Sequence, residues 1–260
     1  MTQPDQDPGQ LPLANWKRCG WPLVLVGHRG AAGLAPENTL PSFDLAHALG
    51  VDAIELDVHL SRDGIPVVIH DETVDRTTNG HGRVADLTVA ELTALDAGTL
   101  SGTASTIARI PTLAAVLAWA RGRCRVVIEL KGTEDVRLAR RTIDVIRKFA
   151  MDDHVLLISF DHGAIGEIHP IAGLIPRGVL YAKPMDDPIA MAFAVGATVI
   201  CPHWSLATHE VISAAHAAQL AVSVWTANDD RAVRSSLAAR VDAVTSDYPD
   251  VARAIASPGR

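Results

Sequence analysis

Residues 52–71 read DAIELDVHLSRDGIPVVIHD and contain a strand-like apolar run, a tight turn and a second apolar run. The first run carries Glu55 and Asp57 two positions apart, and strand residues two apart point to the same face of a sheet. An Asp-Gly pair in the turn is typical of an antiparallel hairpin, whereas parallel neighbours need a crossover of about a dozen residues or more. Residues 65–70 are therefore predicted to form a hairpin strand that leaves the main sheet and begins an insertion.

Around this stretch, short β-branched runs alternate with Ala- and Leu-rich runs that have helical spacing. The strand-like runs that are followed sooner or later by a helix lie at residues 22–27, 52–58, 125–130, 154–160, 178–182, 197–202, 221–227 and 242–246. Continuous apolar strands that alternate with helices indicate parallel βαβ units. Eight such units predict an α/β fold, a TIM (β/α)8 barrel, with a small inserted subdomain after the second strand. An open doubly wound sheet is less favoured, because the sequence has no GxGxxG turn.

The length of 260 residues fits one α/β barrel. We expect an N-terminal tail at residues 1–20 and a single barrel domain at residues 21–260, with the insertion at about residues 59–110. The polar, proline-rich tail lacks the basic start and apolar run of a signal peptide, and the apolar runs are too short for a membrane span. We therefore expect a cytoplasmic protein without stable membrane insertion.

Composition and motifs exclude several classes of protein. The net charge of −7 argues against a general nucleic-acid binder. The three cysteines are far apart and form no CxxC pair, so they predict buried thiols and neither a disulfide framework nor a zinc site; they are Cys19, Cys124 and Cys201. The sequence also lacks a GxSxG nucleophile elbow, a P-loop and an HExxH motif.

Acidic residues end two strands that should be neighbours in the barrel: Glu55 and Asp57 on the second, and Glu129 on the third. Three half-buried carboxylates repel one another and tend to take up protons unless a cation compensates. Mg²⁺ and Ca²⁺ prefer oxygen ligands, so these residues are candidate ligands of a divalent ion. In the alternative interpretation, the acids form salt bridges with Arg29 and Lys131.

Two histidines, His28 and His70, lie at the ends of the first strand and of the hairpin strand. Imidazole titrates near pH 6.5, so the pair suits a reaction that needs both a base and an acid. Arg29 and Lys131 could bind the oxygens of a phosphodiester and stabilise its pentacoordinate transition state. Trp225, at the end of the seventh barrel strand, could pack against an alkyl face of the substrate or could simply fill the barrel.

These residues belong to segments that resemble the glycerophosphodiester phosphodiesterase family. The similar segments are, in the order found in that family, GHRGAAGLAPENTLPSF, GVDAIELDVHLSRDGIPVVIHDETVDRTTNGHGRVADLT, IPTLAAVLA, VVIELKG, VSVWTAN and VDAVTSDYPD. Together they cover most of residues 24–252. The departures are Ser246, where the family usually has Thr, and residues 161–220, which match only loosely.

The resemblance implies a TIM barrel that hydrolyses glycerophosphodiesters to sn-glycerol 3-phosphate and an alcohol, with Mg²⁺ or Ca²⁺ as cofactor. It implies these roles: metal ligands Glu55, Asp57 and Glu129; an acid–base pair of His28 and His70; and substrate-binding residues Arg29, Lys131, Trp225, Glu37 and Asn38. Of these, Glu37 and Asn38 are expected to order the site through the glycerol or through His28. The alternatives are a lysophospholipase D-like enzyme for larger lipid phosphodiesters and a non-catalytic phosphodiester-binding protein.

The residue types leave several properties open. They do not distinguish which histidine is the acid and which is the base. They also do not distinguish direct attack by water from attack by the glycerol 2-hydroxyl through a cyclic phosphate. The preferred head group, the physiological ion and the oligomeric state are likewise undetermined.

Overall fold

The structure is a computed structural model that describes residues 23–98 and 108–256. The predicted tail at residues 1–20 lies outside the described residues, as does Cys19, and the proposed domain boundaries stay a prediction. The strands are β1 Val24–Gly27, β2 Ala53–Leu60, β3 Pro66–Val68, β4 Arg125–Leu130, β5 Val155–Ser159, β6 Arg177–Tyr181, β7 Val199–Pro202, β8 Ala221–Val224 and β9 Ala243–Ser246.

Eight of the described strands form a closed parallel barrel. Their order is β1-β9-β8-β7-β6-β5-β4-β2, and β1 also pairs with β2, which closes the ring. Helices lie between the strands, namely α1 Leu40–Ala48, α2 Val89–Ala94, α3 Leu113–Ala120, α4 Arg137–Lys148, α5 His162–Ala172, α6 Pro188–Ala194, α7 His209–Ala217, α8 Asp230–Ala239 and α9 Pro249–Ala256. The predicted TIM barrel is therefore confirmed.

The side chains of β2 alternate between two apolar environments. Leu56 and Val58 belong to the large core between the strands and the helices. Ala53 faces the barrel interior, where it joins a smaller cluster with residues such as Val127 and Leu156. Because side chains two apart share a face, this alternation directs Glu55 and the other acidic residue of β2 into the barrel.

The insertion begins with β3, which pairs antiparallel with β2 so that Val58 lies opposite Val68. The strand is shorter than the predicted run at residues 65–70. The segment has an apolar core of its own, made of Val67, Ile69, Val74, Val84, Leu92, Ala97 and Ile110. The inserted subdomain thus pairs with the second barrel strand and has its own apolar core.

Two cysteines lie in the described part of the chain, Cys124 and Cys201. Both are free thiols; Cys201 is buried and Cys124 is half-buried. Within the described ranges, none of the helices combines the length and apolar character that a membrane crossing requires.

Candidate active site

Three acidic side chains meet inside the barrel near the C-terminal ends of β2 and β4. Asp57 and Glu129 lie opposite each other in the parallel pairing of these strands. One carboxylate oxygen from each of Glu55, Asp57 and Glu129 lies within 4.8 Å of the other two. All three residues are buried, and Asp57 is fully inaccessible. The structure therefore brings the predicted metal ligands together.

The electrostatics of this cluster favour a bound cation. Burial and the charge of Asp57 raise the pKa of Glu55 to about 8 and that of Glu129 to about 7. Burial would also raise the pKa of Asp57, but the charges of Arg29 and His70 outweigh it and lower that pKa. The buried Oδ1 atom of Asp57 accepts no hydrogen bond from the described residues. The carboxylates of the cluster are hard oxygen donors, and their negative charge exceeds the nearby positive charge. Both properties fit a divalent ion such as Mg²⁺ or Ca²⁺.

Two cationic side chains lie beside the acids. The Nε atom of Arg29 is 3.3 Å from Oδ2 of Asp57, and the backbone N–H of Arg29 donates to Glu55 at 2.9 Å. The ammonium group of Lys131 donates to Oε1 of Glu129 at 3.0 Å and lies 3.9 Å from Oδ1 of Asp57. The salt bridges of the alternative interpretation are thus present. Both cations also line the cavity described below. They therefore face the cavity while they pair with the acids.

His28 follows β1 and is held by an acidic partner. Its Nδ1 is 2.6 Å from Oδ1 of Asp247, and the side chain of Asn228 donates to the other oxygen of Asp247. Its Nε2 points toward the acidic cluster, 3.9 Å from Oε2 of Glu55. Burial lowers the pKa of His28, but the hydrogen bond with Asp247 and the charge of Glu55 outweigh burial and raise that pKa above its ordinary value.

His70 follows β3 and has a similar arrangement. Its Nδ1 is 2.6 Å from Oδ1 of Asp71, and its Nε2 is 3.1 Å from Nζ of Lys131. Burial lowers the pKa of His70, and the charge of Asp57 and the bond to Asp71 offset this only in part. Each histidine therefore has Nδ1 held by a carboxylate and Nε2 directed at the charged cluster.

A cavity of about 140 Å³ opens over the cluster. Its lining includes both histidines and both cations. The lining also includes apolar side chains, namely Val127, Ile158, Phe160, Leu180 and Trp225. The indole N–H of Trp225 donates to the backbone oxygen of Cys201 at 2.9 Å, and the ring meets Phe160 edge to face at 5.3 Å. Trp225 thus both packs in the barrel and presents a fixed apolar surface to the cavity.

Two predicted substrate-binding residues lie elsewhere. Glu37 and Asn38 line a separate, water-sized cavity of about 10 Å³ and are not among the residues that line the larger one. Glu37 accepts a hydrogen bond from Arg29 at 2.8 Å, and Asn38 donates to Oδ2 of Asp57 at 2.8 Å. Nδ1 of His28 is bonded to Asp247 in the loop after β9, and the contact of Glu37 and Asn38 with the glycerol stays a prediction. Both residues therefore order charged groups of the site.

Sequence reasoning assigns no role to four residues of this region: Asp71, Arg76, Phe160 and Asp247. Asp247 directly follows the last barrel strand, so the rule that functional groups gather at strand ends could have found it. Phe160 follows β5 in the same way. Arg76 lies inside the insertion, away from any barrel strand, and no periodic pattern in the sequence distinguishes it.

Comparison with known proteins places this geometry in a family. The model of the Glycerophosphoryl diester phosphodiesterase family matches residues 28–251. A glycerophosphodiester phosphodiesterase of Caldanaerobacter subterraneus is 34% identical over 230 residues, which cover 87% of this chain and 95% of that protein.

Solved structures show the same relationship. The structure of an Oleispira antarctica phosphodiesterase in complex with the product sn-glycerol-3-phosphate is 30% identical with a TM-score of 0.83, and the match covers 89% of this chain and 95% of that one. A crystal structure of glycerophosphodiester phosphodiesterase from Agrobacterium tumefaciens is 34% identical with a TM-score of 0.79, over 90% and 99% of the two chains. On this evidence the chain belongs to the glycerophosphoryl diester phosphodiesterase family.

Proposed function

We propose that this enzyme hydrolyses glycerophosphodiesters to sn-glycerol 3-phosphate and an alcohol, using a divalent metal ion and two histidines. One observation carries the proposal. Two histidines, each held at Nδ1 by a carboxylate, flank a buried group of three acids in one cavity. The product bound in the Oleispira antarctica relative supports the choice of substrate.

The acids Glu55, Asp57 and Glu129 would hold the metal ion. A divalent ion supplies Lewis-acid polarisation of phosphoryl oxygens and compensates the negative charge of a phosphodiester. The Oδ1 atom of Asp57, which accepts no hydrogen bond from the described residues, supports this assignment. The raised pKa values of Glu55 and Glu129 support it as well, because they show how poorly the protein alone tolerates charge there.

Arg29 and Lys131 bind the non-bridging oxygens of the phosphate. The planar guanidinium offers a fork that matches two oxygens, and the ammonium offers a mobile point charge. Both groups face the cavity, where they would stabilise the additional negative charge of the pentacoordinate transition state. The apolar surface around Trp225 receives the carbon skeleton of the substrate.

His28 and His70 move the protons. One ring accepts a proton at Nε2 from the attacking hydroxyl, and the other donates a proton from Nε2 to the departing alkoxide. Asp247 and Asp71 keep the Nδ1–H of each ring as a donor, so that Nε2 stays directed at the reacting groups. The attacking hydroxyl is that of water, or it is the glycerol 2-hydroxyl, which expels the alcohol and forms a cyclic phosphate. In the second case water then opens the cyclic phosphate to sn-glycerol 3-phosphate and restores the 2-hydroxyl.

The test is a set of turnover assays on glycerophosphocholine with Mg²⁺, Ca²⁺ or Mn²⁺, and with EDTA. We expect release of glycerol 3-phosphate with a metal ion and its loss in EDTA. His70→Ala should lower kcat by about 10²- to 10⁴-fold, as expected for loss of a general acid or base. His81→Ala is the matched control, because His81 is an exposed histidine of the same insertion.

The same assays separate the alternatives. Faster cleavage of a lysophospholipid than of glycerophosphocholine would favour the lysophospholipase D-like activity, and the partly exposed Phe160 at the cavity is the reason for making that comparison. Binding of the diester without product after long incubation would indicate a binding protein. Full activity in EDTA would contradict the role of the metal, and a normal rate in His70→Ala would remove that histidine from the mechanism.

A further inference from the structure

We infer that Arg76, on the inserted subdomain, is a positioning residue that holds His70 and Arg29 in one hydrogen-bonded frame. This inference rests on the proposed function, since it assigns Arg76 a task in the same reaction. Arg76 lies outside the cavity and touches neither histidine directly. Its influence runs through two carboxylates, Asp71 and Glu37, that it binds with the same guanidinium.

The first carboxylate is that of Asp71. The Nε atom of Arg76 donates to Oδ2 of Asp71 at 2.6 Å, and its Nη2 donates to Oδ1 at 3.0 Å. The same Oδ1 lies 2.6 Å from Nδ1 of His70. A guanidinium fork fixes the plane of a carboxylate, and that plane fixes the orientation of the imidazole. The bond from Arg76 also holds the pKa of Asp71 far below its ordinary value, so this carboxylate is a permanent acceptor.

The second carboxylate is that of Glu37, in the loop before α1. Arg76 donates from Nη1 to Oε2 at 2.8 Å and from Nη2 to Oε1 at 2.9 Å. Oε1 of Glu37 also accepts from Nη1 of Arg29 at 2.8 Å. A continuous chain of charged groups therefore runs from His70 on the insertion to Arg29, which follows β1. Arg76 thereby connects the inserted subdomain to Arg29, on the proposed phosphate-binding side of the barrel.

Arg76 contributes to geometry more than to stability. Its side chain is 48% exposed, so solvent screens these ion pairs and lowers their contribution to folding. The insertion also has an apolar core that does not include Arg76. Loss of the guanidinium should therefore leave the fold in place while the two carboxylates, and with them His70 and Arg29, gain freedom to move.

The shape of the guanidinium matters as much as its charge. Arg76 makes its four bonds to two carboxylates with three nitrogens in one plane. A lysine has a single ammonium group on a flexible stem and cannot fix both carboxylate planes. Arg76→Lys therefore keeps the charge and removes the fork, and Arg76→Gln removes both.

The kinetic test compares these variants with Arg83→Gln. Arg83 is an exposed arginine of the same insertion whose pairing with Glu72 is loose, at 3.9 Å. We expect Arg76→Gln to lower kcat/KM by roughly 10- to 100-fold through both a lower kcat and a higher KM, as for other misplaced catalytic groups. Arg76→Lys should recover only part of the loss, and Arg83→Gln should stay within about twofold of the parent. Thermal unfolding of each variant checks that the loss is not one of folding.

A second measurement does not depend on turnover. Long-range ¹H–¹⁵N NMR spectra of the imidazoles report the hydrogen bond at Nδ1 of each ring. In Arg76→Gln we expect the His70 resonances to shift or broaden, while those of His28, held by Asp247, stay unchanged. Unchanged His70 resonances would overturn the inference even if the parent cleaved no diester. The inference would also be overturned if the parent cleaved the diester and Arg76→Gln had an equal kcat/KM. In that case the proposed function would stand.

Discussion

The environment of Glu55 opposes the negative charge of its carboxylate. Burial and the charge of Asp57 raise its pKa from 4.5 to about 8 when no metal compensates. A carboxyl whose pKa is higher in the folded than in the unfolded protein stabilises the fold fully below the unfolded value. That stability is lost as pH rises through the folded value. The metal-free protein should therefore lose stability between roughly pH 4.5 and pH 8.

Glu55→Gln tests this effect, because a neutral amide of the same shape does not titrate. In EDTA we expect the thermal midpoint of the parent to fall as pH rises through this range and that of Glu55→Gln to fall less. Added Mg²⁺ or Ca²⁺ should raise the midpoint of the parent at pH 8 and have a weaker effect on the variant. Circular dichroism during heating measures both. Glu72→Gln makes the same change at an exposed site, and equal pH slopes in all three proteins would contradict the prediction.

Strands and loops differ in how far the sequence alone predicts the site. The period of two in β2 is a local property, so the sequence pattern is sufficient to predict that Glu55 and Asp57 share one face. The TIM barrel fold makes β4 a neighbour of β2 and brings Glu129 opposite Asp57. The strands β1 and β4 carry His28 and Lys131 at their C-terminal ends in the same way. Periodicity and fold class together therefore account for most of the predicted cluster.

Periodicity and fold class do not predict which side chains the loop residues bond. Asp247 meets His28 across 219 positions of sequence, and Arg76 meets Glu37 across 39. The strand-end rule could place Asp247 near the site, but the pairing of Asp247 with His28 and of Arg76 with Glu37 depends on loop conformations that have no repeating pattern. The same limit applies to Glu37, whose bonds to two arginines are not evident from the sequence.

The turn between β1 and α1 carries a prediction for an element of the fold. Gly30 has φ +87, and a Cβ atom there would lie 2.7 Å from the backbone carbonyl carbon of Ser42 at the start of α1. We expect Gly30→Ala to lower the free energy of unfolding by about 2 to 4 kcal/mol, because it adds both strain and overlap. Gly64 has φ +77 with open space around it, so Gly64→Ala should cost only about 1 kcal/mol.

Urea denaturation of the two glycine variants measures the difference. The m-values should match that of the parent, since neither change alters the surface exposed on unfolding. Because Gly30 adjoins Arg29, its variant should also lose activity, whereas the Gly64 variant should not. Equal losses of stability in the two variants would show that the contact with Ser42 is not what makes Gly30 necessary.

At the scale of the whole molecule, the two ends of the barrel have different tasks. The C-terminal ends of the strands carry the acids, histidines and cations of the site. The N-terminal ends carry carboxylates that bind backbone: Asp52 accepts from the N–H of Leu25 at 2.8 Å, and Asp242 accepts from the N–H of Val222 at 2.8 Å. These contacts join neighbouring strands far from the cavity. Stability and catalysis should therefore respond separately to changes at the two ends.

Asp242→Ala tests this separation at the N-terminal end. The buried carboxylate also bonds Nε2 of His216 at 2.8 Å, and its removal leaves the N–H of Val222 without this acceptor. We expect the free energy of unfolding to fall by about 2 kcal/mol, the scale of a lost hydrogen bond to a charged group. The kcat/KM of the folded variant should stay within about twofold of the parent, since the barrel's other end is untouched.

His70→Ala should show the opposite behaviour, with a large loss of kcat and little loss of stability, because its ring lies on the inserted subdomain near the surface of the cavity. Urea denaturation and diester turnover, measured on both variants at the same temperature, complete the comparison. If Asp242→Ala lost turnover as severely as His70→Ala while remaining folded, the two ends of the barrel would be coupled. The strands would then transmit strain along their length, and separate tasks for the two ends could not be maintained.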